Sequence, residues 1–68
     1  MSPRRIGRVL KALRQDREIS QETLAAKAKV TQAYIAMLEA GKKTNPSLDI
    51  LKRLARALGV PVTELLGG

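Results

Sequence analysis

The chain has 68 residues and no cysteine or histidine, a length for one domain and a composition that excludes disulfide staples and the usual zinc constellations. Thirteen Lys and Arg against six Asp and Glu give a formal charge of +7, a field that favours a polyanionic partner without choosing between DNA, RNA and anionic lipid. A single Tyr with no Phe or Trp argues against an aromatic platform for single strands, and no apolar run nears the roughly 20 residues of a membrane span. No secretory h-region follows the N-terminus, so a soluble, cytoplasmic protein is expected, with no membrane partner.

Ser2 and Pro3 open the first helix, with a capping hydroxyl and then a proline whose missing amide costs nothing there. Ile6, Val9, Leu10 and Leu13 follow at i, i+3, i+4 and i+7, an amphipathic stripe. The other face carries Arg4, Arg5, Arg8, Lys11 and Arg17. A basic amphipathic helix can lie on a membrane, but this stripe has no Trp or Phe anchor and reads as a core stripe. The helix is expected to run from about 4 to 17. No glycine marks the junction after it, which puts Glu18 in the left-handed region where helices commonly end.

Ser20 to Gly41 reads as two short helices, about 21–28 and 32–39, joined by a tight corner. Ser20 and Thr31 are their N-caps, and Glu22 complements the first dipole. Leu24, Ala25 and Ala28 face the core from the first helix, and Ile35 and Leu38 from the second. Alanines at 25, 26 and 28 predict a close helix crossing. Lys29 takes the left-handed corner between the helices. Gln32, Ala33, Tyr34, Ala36 and Met37 remain exposed, a face of amide, methyl and thioether groups.

Gly41 caps the second of these helices, and a polar basic loop runs to Pro46. Ser47 caps a helix over about 48–58, with Asp49 in its first turn and Leu48, Leu51, Leu54, Ala55 and Leu58 on its buried stripe. Gly59 ends it. Pro61 then starts a short helix over about 62–66, and Gly67-Gly68 trails off. The fold class is all-α, five helices in a single domain over 1–68, without repeats or low-complexity tracts.

Several motifs stand in order and ungapped: Ser20-Gln21-x-x-Leu24-Ala25, Tyr34-Ile35, Glu39-x-Gly41, Asn45-Pro46-Ser47 and Ala57-Leu58-Gly59-Val60. Together they resemble the helix-turn-helix domain of lambda-type phage repressors and Cro-like regulators, over about Ile6 to Leu66. The family pattern usually has Gly or Asn where Glu18 and Lys29 stand. The resemblance implies a five-helix DNA-binding domain whose helix after Thr31 enters the major groove with its first turn. It places Thr31, Gln32, Ala33 and Met37 at base edges and Tyr34 near the backbone. Gln21 falls at the start of the preceding helix, where a phosphate is held, and Lys42, Lys43, Thr44 and Asn45 fall in the loop that follows the backbone. It also implies an ion pair of Arg14 with Glu39 that locks the first helix to the third.

The side-chain chemistry fits that role unevenly. Gln32 can pair bidentately with adenine, and Ala33 or Met37 can pack on a thymine methyl, but no Arg sits on this face. DNA shape therefore carries a large share of any specificity. A single such helix spans too few base pairs to specify a site, so a homodimer on a palindrome is expected, with Val62, Leu65 and Leu66 as its contact surface. Such a sequence-specific double-stranded DNA-binding transcriptional regulator needs no cofactor or metal, and with no effector domain on the chain no small-molecule effector is implied. The alternative on the same fold is a protein-interaction adaptor, such as an antitoxin or a transcriptional bridging factor. An enzyme is not expected, because the carboxylates are scattered on separate helices and nothing pairs them across a cleft.

Overall fold

A computed structural model describes residues 3–43 and 45–66, with side chains from Arg5 onward. The expected Ser2 cap, Thr44 loop contact and Gly67-Gly68 tail lie outside the described residues. Five helices follow one another: α1 (Pro3–Asp16), α2 (Gln21–Ala28), α3 (Gln32–Glu39), α4 (Leu48–Leu58) and α5 (Val62–Leu65). Each expected boundary agrees to within one residue. None of these helices is long and apolar enough to cross a membrane.

Side-chain caps start the three central helices. Ser20 Oγ accepts from Thr23 N–H at 3.0 Å, Thr31 Oγ1 from Tyr34 N–H at 3.0 Å and Ser47 Oγ from Ile50 N–H at 3.2 Å. Each hydroxyl satisfies an amide that the helix itself cannot. The first four helices also end alike. Glu18, Lys29, Gly41 and Gly59 all take positive φ, at 55°, 59°, 77° and 71°. In each case the following residue donates back to the carbonyl five positions earlier: Ile19 to Arg14, Val30 to Ala25, Lys42 to Met37 and Val60 to Ala55. This double-bonded C-terminal closure favours glycine at its left-handed position and an apolar residue after it. Ile19, Val30 and Val60 supply that apolar residue and pack against the core. In α3 the left-handed residue is Gly41, as expected, with Ala40 still right-handed between it and the last helical residue.

The core is aliphatic. Leu10, Leu24, Ile35, Leu38, Leu54 and Leu65 are fully buried, and Ile6, Ala25, Ala28, Leu51, Ala55 and Leu58 complete the cluster. Helix α2 packs on α3 and α4, α1 on α3 and α5, and α4 on α5. Three expectations need correction. Leu48 is 57% exposed, because it lies on the first turn of α4 before the stripe turns inward at Leu51. Ala26 faces solvent, so Ala25 and Ala28 alone make the close approach. Leu65 closes the monomer core at 0% exposure, which removes it from any contact surface.

Gly7, silent in the periodicity, sets the position of α1. It is buried, and a β-carbon built on it would lie 2.0 Å from the Leu38 carbonyl oxygen and 2.9 Å from its carbon. Those are backbone atoms of α3 and cannot swing away. Gly7→Ala is therefore expected to force α1 off α3 at a cost of about 3 kcal/mol, measurable in urea unfolding. Glu18→Gly should do the opposite. It relieves a left-handed non-glycine residue, offset by the added freedom of the unfolded chain, for a gain of roughly 0.5–1 kcal/mol and a few degrees in Tm.

Candidate nucleic-acid interface

Helix α3 has eight residues and two sides. Ile35 and Leu38 anchor it in the core, while Thr31, Gln32 and Ala33 at its start are exposed. Tyr34, Ala36 and Met37 are half-buried, less open than the sequence implied. The Thr31 hydroxyl accepts the Tyr34 N–H as a cap, which leaves its own proton to donate outward. Lys43 Nζ lies 5.7 Å from the centroid of the Tyr34 ring, within cation–π range. That contact draws one loop ammonium toward the exposed turn of α3. The backbone amides of Lys42 and Lys43 both donate to Met37 O, at 2.9 and 3.1 Å, so the start of the loop is fixed to the helix end. The Lys42, Lys43 and Asn45 side chains are exposed beside it.

What holds this surface is a polar knot at the other end of α3. Arg14 Nε donates to Glu39 Oε2 at 2.7 Å, and Arg14 Nη2 to Glu39 Oε1 at 3.0 Å. The remaining guanidinium nitrogen, Nη1, donates to Ile19 O at 2.9 Å. Gln21 Nε2 then donates to Glu39 Oε1 at 3.0 Å. One carboxylate thus ties together α1, the start of α2 and the end of α3, and the side chains of Arg14 and Glu39 are only 12% and 4% exposed. A bidentate guanidinium–carboxylate pair fixes orientation as well as distance. The expected Arg14–Glu39 contact is therefore present. Its extension to Ile19 and Gln21 is new, since backbone carbonyls and a second donor leave no trace in spacing.

The knot also decides what Gln21 can do. One of its two amide hydrogens goes to Glu39, which aims the other away from the carboxylate and leaves it open to an outside acceptor. Gln21 is half-buried at the head of α2, where the helix amides also point outward. Burial on its own would raise the Glu39 carboxyl. The hydrogen bonds from Arg14 and Gln21, with the charges of Arg14 and Lys11, override it and hold the group below the ordinary glutamate range. Arg14 is in turn held above its ordinary value, chiefly by its hydrogen bond to Glu39. Among the described residues no cluster of His, Cys, Asp and Glu could hold a metal ion.

Known proteins share this fold. The family model described as helix-turn-helix matches residues 10–65. The immunity repressor protein of Bacillus phage phi105 is 39% identical over 62 residues, which cover 91% of this chain and 42% of the repressor. The chain spans between 40% and 45% of the length of that repressor and two other curated relatives. Among solved structures, the restriction-modification controller protein C.AhdI from Aeromonas hydrophila superposes with a TM-score of 0.88 at 35% identity, covering 93% of this chain and 94% of that one. The master regulator for biofilm formation SinR, solved in complex with DNA, superposes with a TM-score of 0.86 at 36% identity, covering 90% and 97%.

The depressed Glu39 carboxyl makes stability depend on acid. A folded value below the unfolded one means the knot contributes fully above the unfolded glutamate range, about 4.3, and that its contribution fades as pH falls through the folded value. Tm measured against pH should drop below about pH 4, and Glu39→Gln should flatten that limb. Glu39→Ala, which strands Arg14 at the crossing, should cost on the order of 3 kcal/mol at neutral pH.

Proposed function

This chain belongs to the helix-turn-helix family, and from that membership we propose that it is a sequence-specific double-stranded DNA-binding transcriptional regulator acting as a homodimer at the nucleoid. The observation that carries the reading is the surface of α3: its first turn, Thr31 to Ala33, is exposed, while its last residue is locked by the Arg14–Glu39–Gln21 knot. A helix held rigidly at one end and bare at the other suits insertion into the major groove, where an unsteady reader would lose register.

In this reading Gln32 pairs with adenine and Ala33 packs on a thymine methyl, with Met37 one turn further along. The Thr31 hydroxyl donates to a base edge and the free amide hydrogen of Gln21 to a phosphate, while Lys42, Lys43 and Asn45 follow the backbone. Tyr34 reaches the same strand, with Lys43 over its ring. Phosphate contacts dominate this list, so affinity falls steeply with salt and DNA shape supplies part of the choice of site. Val62 on α5 and Leu66 at its C-cap, both half-buried, form the contact between two copies, without Leu65. Two copies on a palindrome then set their α3 helices about one helical turn apart.

Selection from a random duplex pool tests the reading and should return a palindromic consensus; a pool without enrichment would defeat it. Two variants separate the contacts. Gln32→Ala should relax preference at one position in each half-site, at about 1–3 kcal/mol on the preferred sequence. Lys43→Ala should weaken all duplexes alike and lower the salt slope by about one, read by fluorescence anisotropy over a salt series.

A further inference from the structure

Between α2 and α4 lies a cleft of about 170 Å³ lined by Lys27, Lys29, Arg53, Arg56 and Ala57. We propose that this cleft is a second, separate anion site that binds a phosphate group, supplied either as free phosphate or by a DNA backbone outside the α3 surface.

Four cations converge on this cleft and no acid lines it. Two of them have another explanation, since Lys27 and Arg56 lie in the last turns of α2 and α4 and complement helix dipoles there. Arg53 has only a long i,i+4 ion pair with Asp49, and Lys29 is the C-cap of α2, one residue beyond its last turn. Lys29 occupies a left-handed position at φ 59°, where glycine would be easier, and that position delivers its chain to the cleft. Arg53 Nε is sealed from solvent and makes no hydrogen bond among the described residues. Asp49 Oδ2 stands 3.5 Å away on a carboxylate that is 79% exposed. Packing α2 on α4 thus brings like charges together around a sealed donor whose acid neighbour, Asp49, gives it an ion pair but no hydrogen bond. A compact, multiply charged oxyanion answers both features, because guanidinium forks match its oxygens in pairs. A single peptide carboxylate would neutralise less of the cluster.

The cleft is distinct from the surface already described. Lys29 caps the end of α2 opposite Gln21, and an eight-residue helix separates them by about 12 Å. The inference for free phosphate stands independently of the DNA reading; only the backbone source rests on it.

Titration of the protein with inorganic phosphate, against chloride at matched ionic strength, is expected to give saturable NMR shifts at the amides of Lys29, Arg53, Arg56 and Ala57. The double variant Arg53→Gln/Arg56→Gln should lose them while keeping the remaining spectrum, and Lys29→Gln, which leaves both helices intact, should weaken them if the double variant does not fold. The source is read from two duplexes carrying the selected site, one just covering it and one extended by ten base pairs on each side. A backbone source makes the salt slope steeper on the longer duplex by about one, a difference the double variant abolishes; a free-phosphate source leaves the two duplexes equal. Shifts that never saturate, that spread over all lysines and arginines, or that persist in the folded double variant would overturn the site, as would binding of an acidic peptide without any of phosphate. Binding of the short duplex should be the same in wild type and double variant, so loss of the cleft leaves the α3 reading untouched.

Discussion

Everything about the candidate surface depends on how closely α1 lies against the end of α3. Gly7 brings the two backbones to a distance at which no β-carbon fits. That approach puts Arg14, seven residues further along the same face, level with Glu39. Without it the guanidinium could not reach the carboxylate with two nitrogens and still bond the Ile19 carbonyl. The polar knot is thus a product of backbone packing, and the knot in turn holds Gln21. A missing methyl group on one helix determines the aim of an amide on another.

Charge is divided along the same lines. The bidentate pair of Arg14 with Glu39 sits where helices cross, desolvated enough that its separation would be costly. The other charges of the described residues lie outside, and the exposed turn of α3 carries none of them. Its neighbour in the chain supplies positive charge instead, from the loop at Lys42 and Lys43 fixed to the end of α3. On the proposed reading, placing cations around the exposed turn of α3 and none on it separates attraction to a polyanion from discrimination between sequences.

Most of the architecture was legible because it is written in local terms. Stripes of apolar residues at helical spacing, hydroxyls before helix starts and glycines after helix ends located five helices to within a residue. The family resemblance added the pairing of Arg14 with Glu39. What escaped notice has a common cause: it depends on which element lies opposite. Gly7 looks like a weak point inside a helix until the α3 backbone is seen above it, although an isolated glycine within a strong helical pattern was a usable sign of close approach. Leu48 and Leu65 match their stripes equally well, yet one lies outside and the other at the centre. Periodicity gives a face, and only the packing partner says how far around the helix that face extends. The direction of the second Gln21 hydrogen and the convergence of four cations on one cleft were beyond reach for the same reason.

The four matching helix ends bear on how the chain reaches this state. Each closure is completed within six residues by its own backbone, and three are sealed by the apolar residue that follows. Stops of this kind form as soon as their helices do, independently of distant parts of the chain. Structure dominated by such short-range contacts carries a low contact order, the regime in which domains fold in about microseconds to milliseconds. Long-range packing is what remains, of α2 on α4 and of α1 on α3 and α5, and the Arg14–Glu39 pair within it joins positions 25 residues apart. The seating of α1 across α3, among these, completes the support beneath the exposed helix.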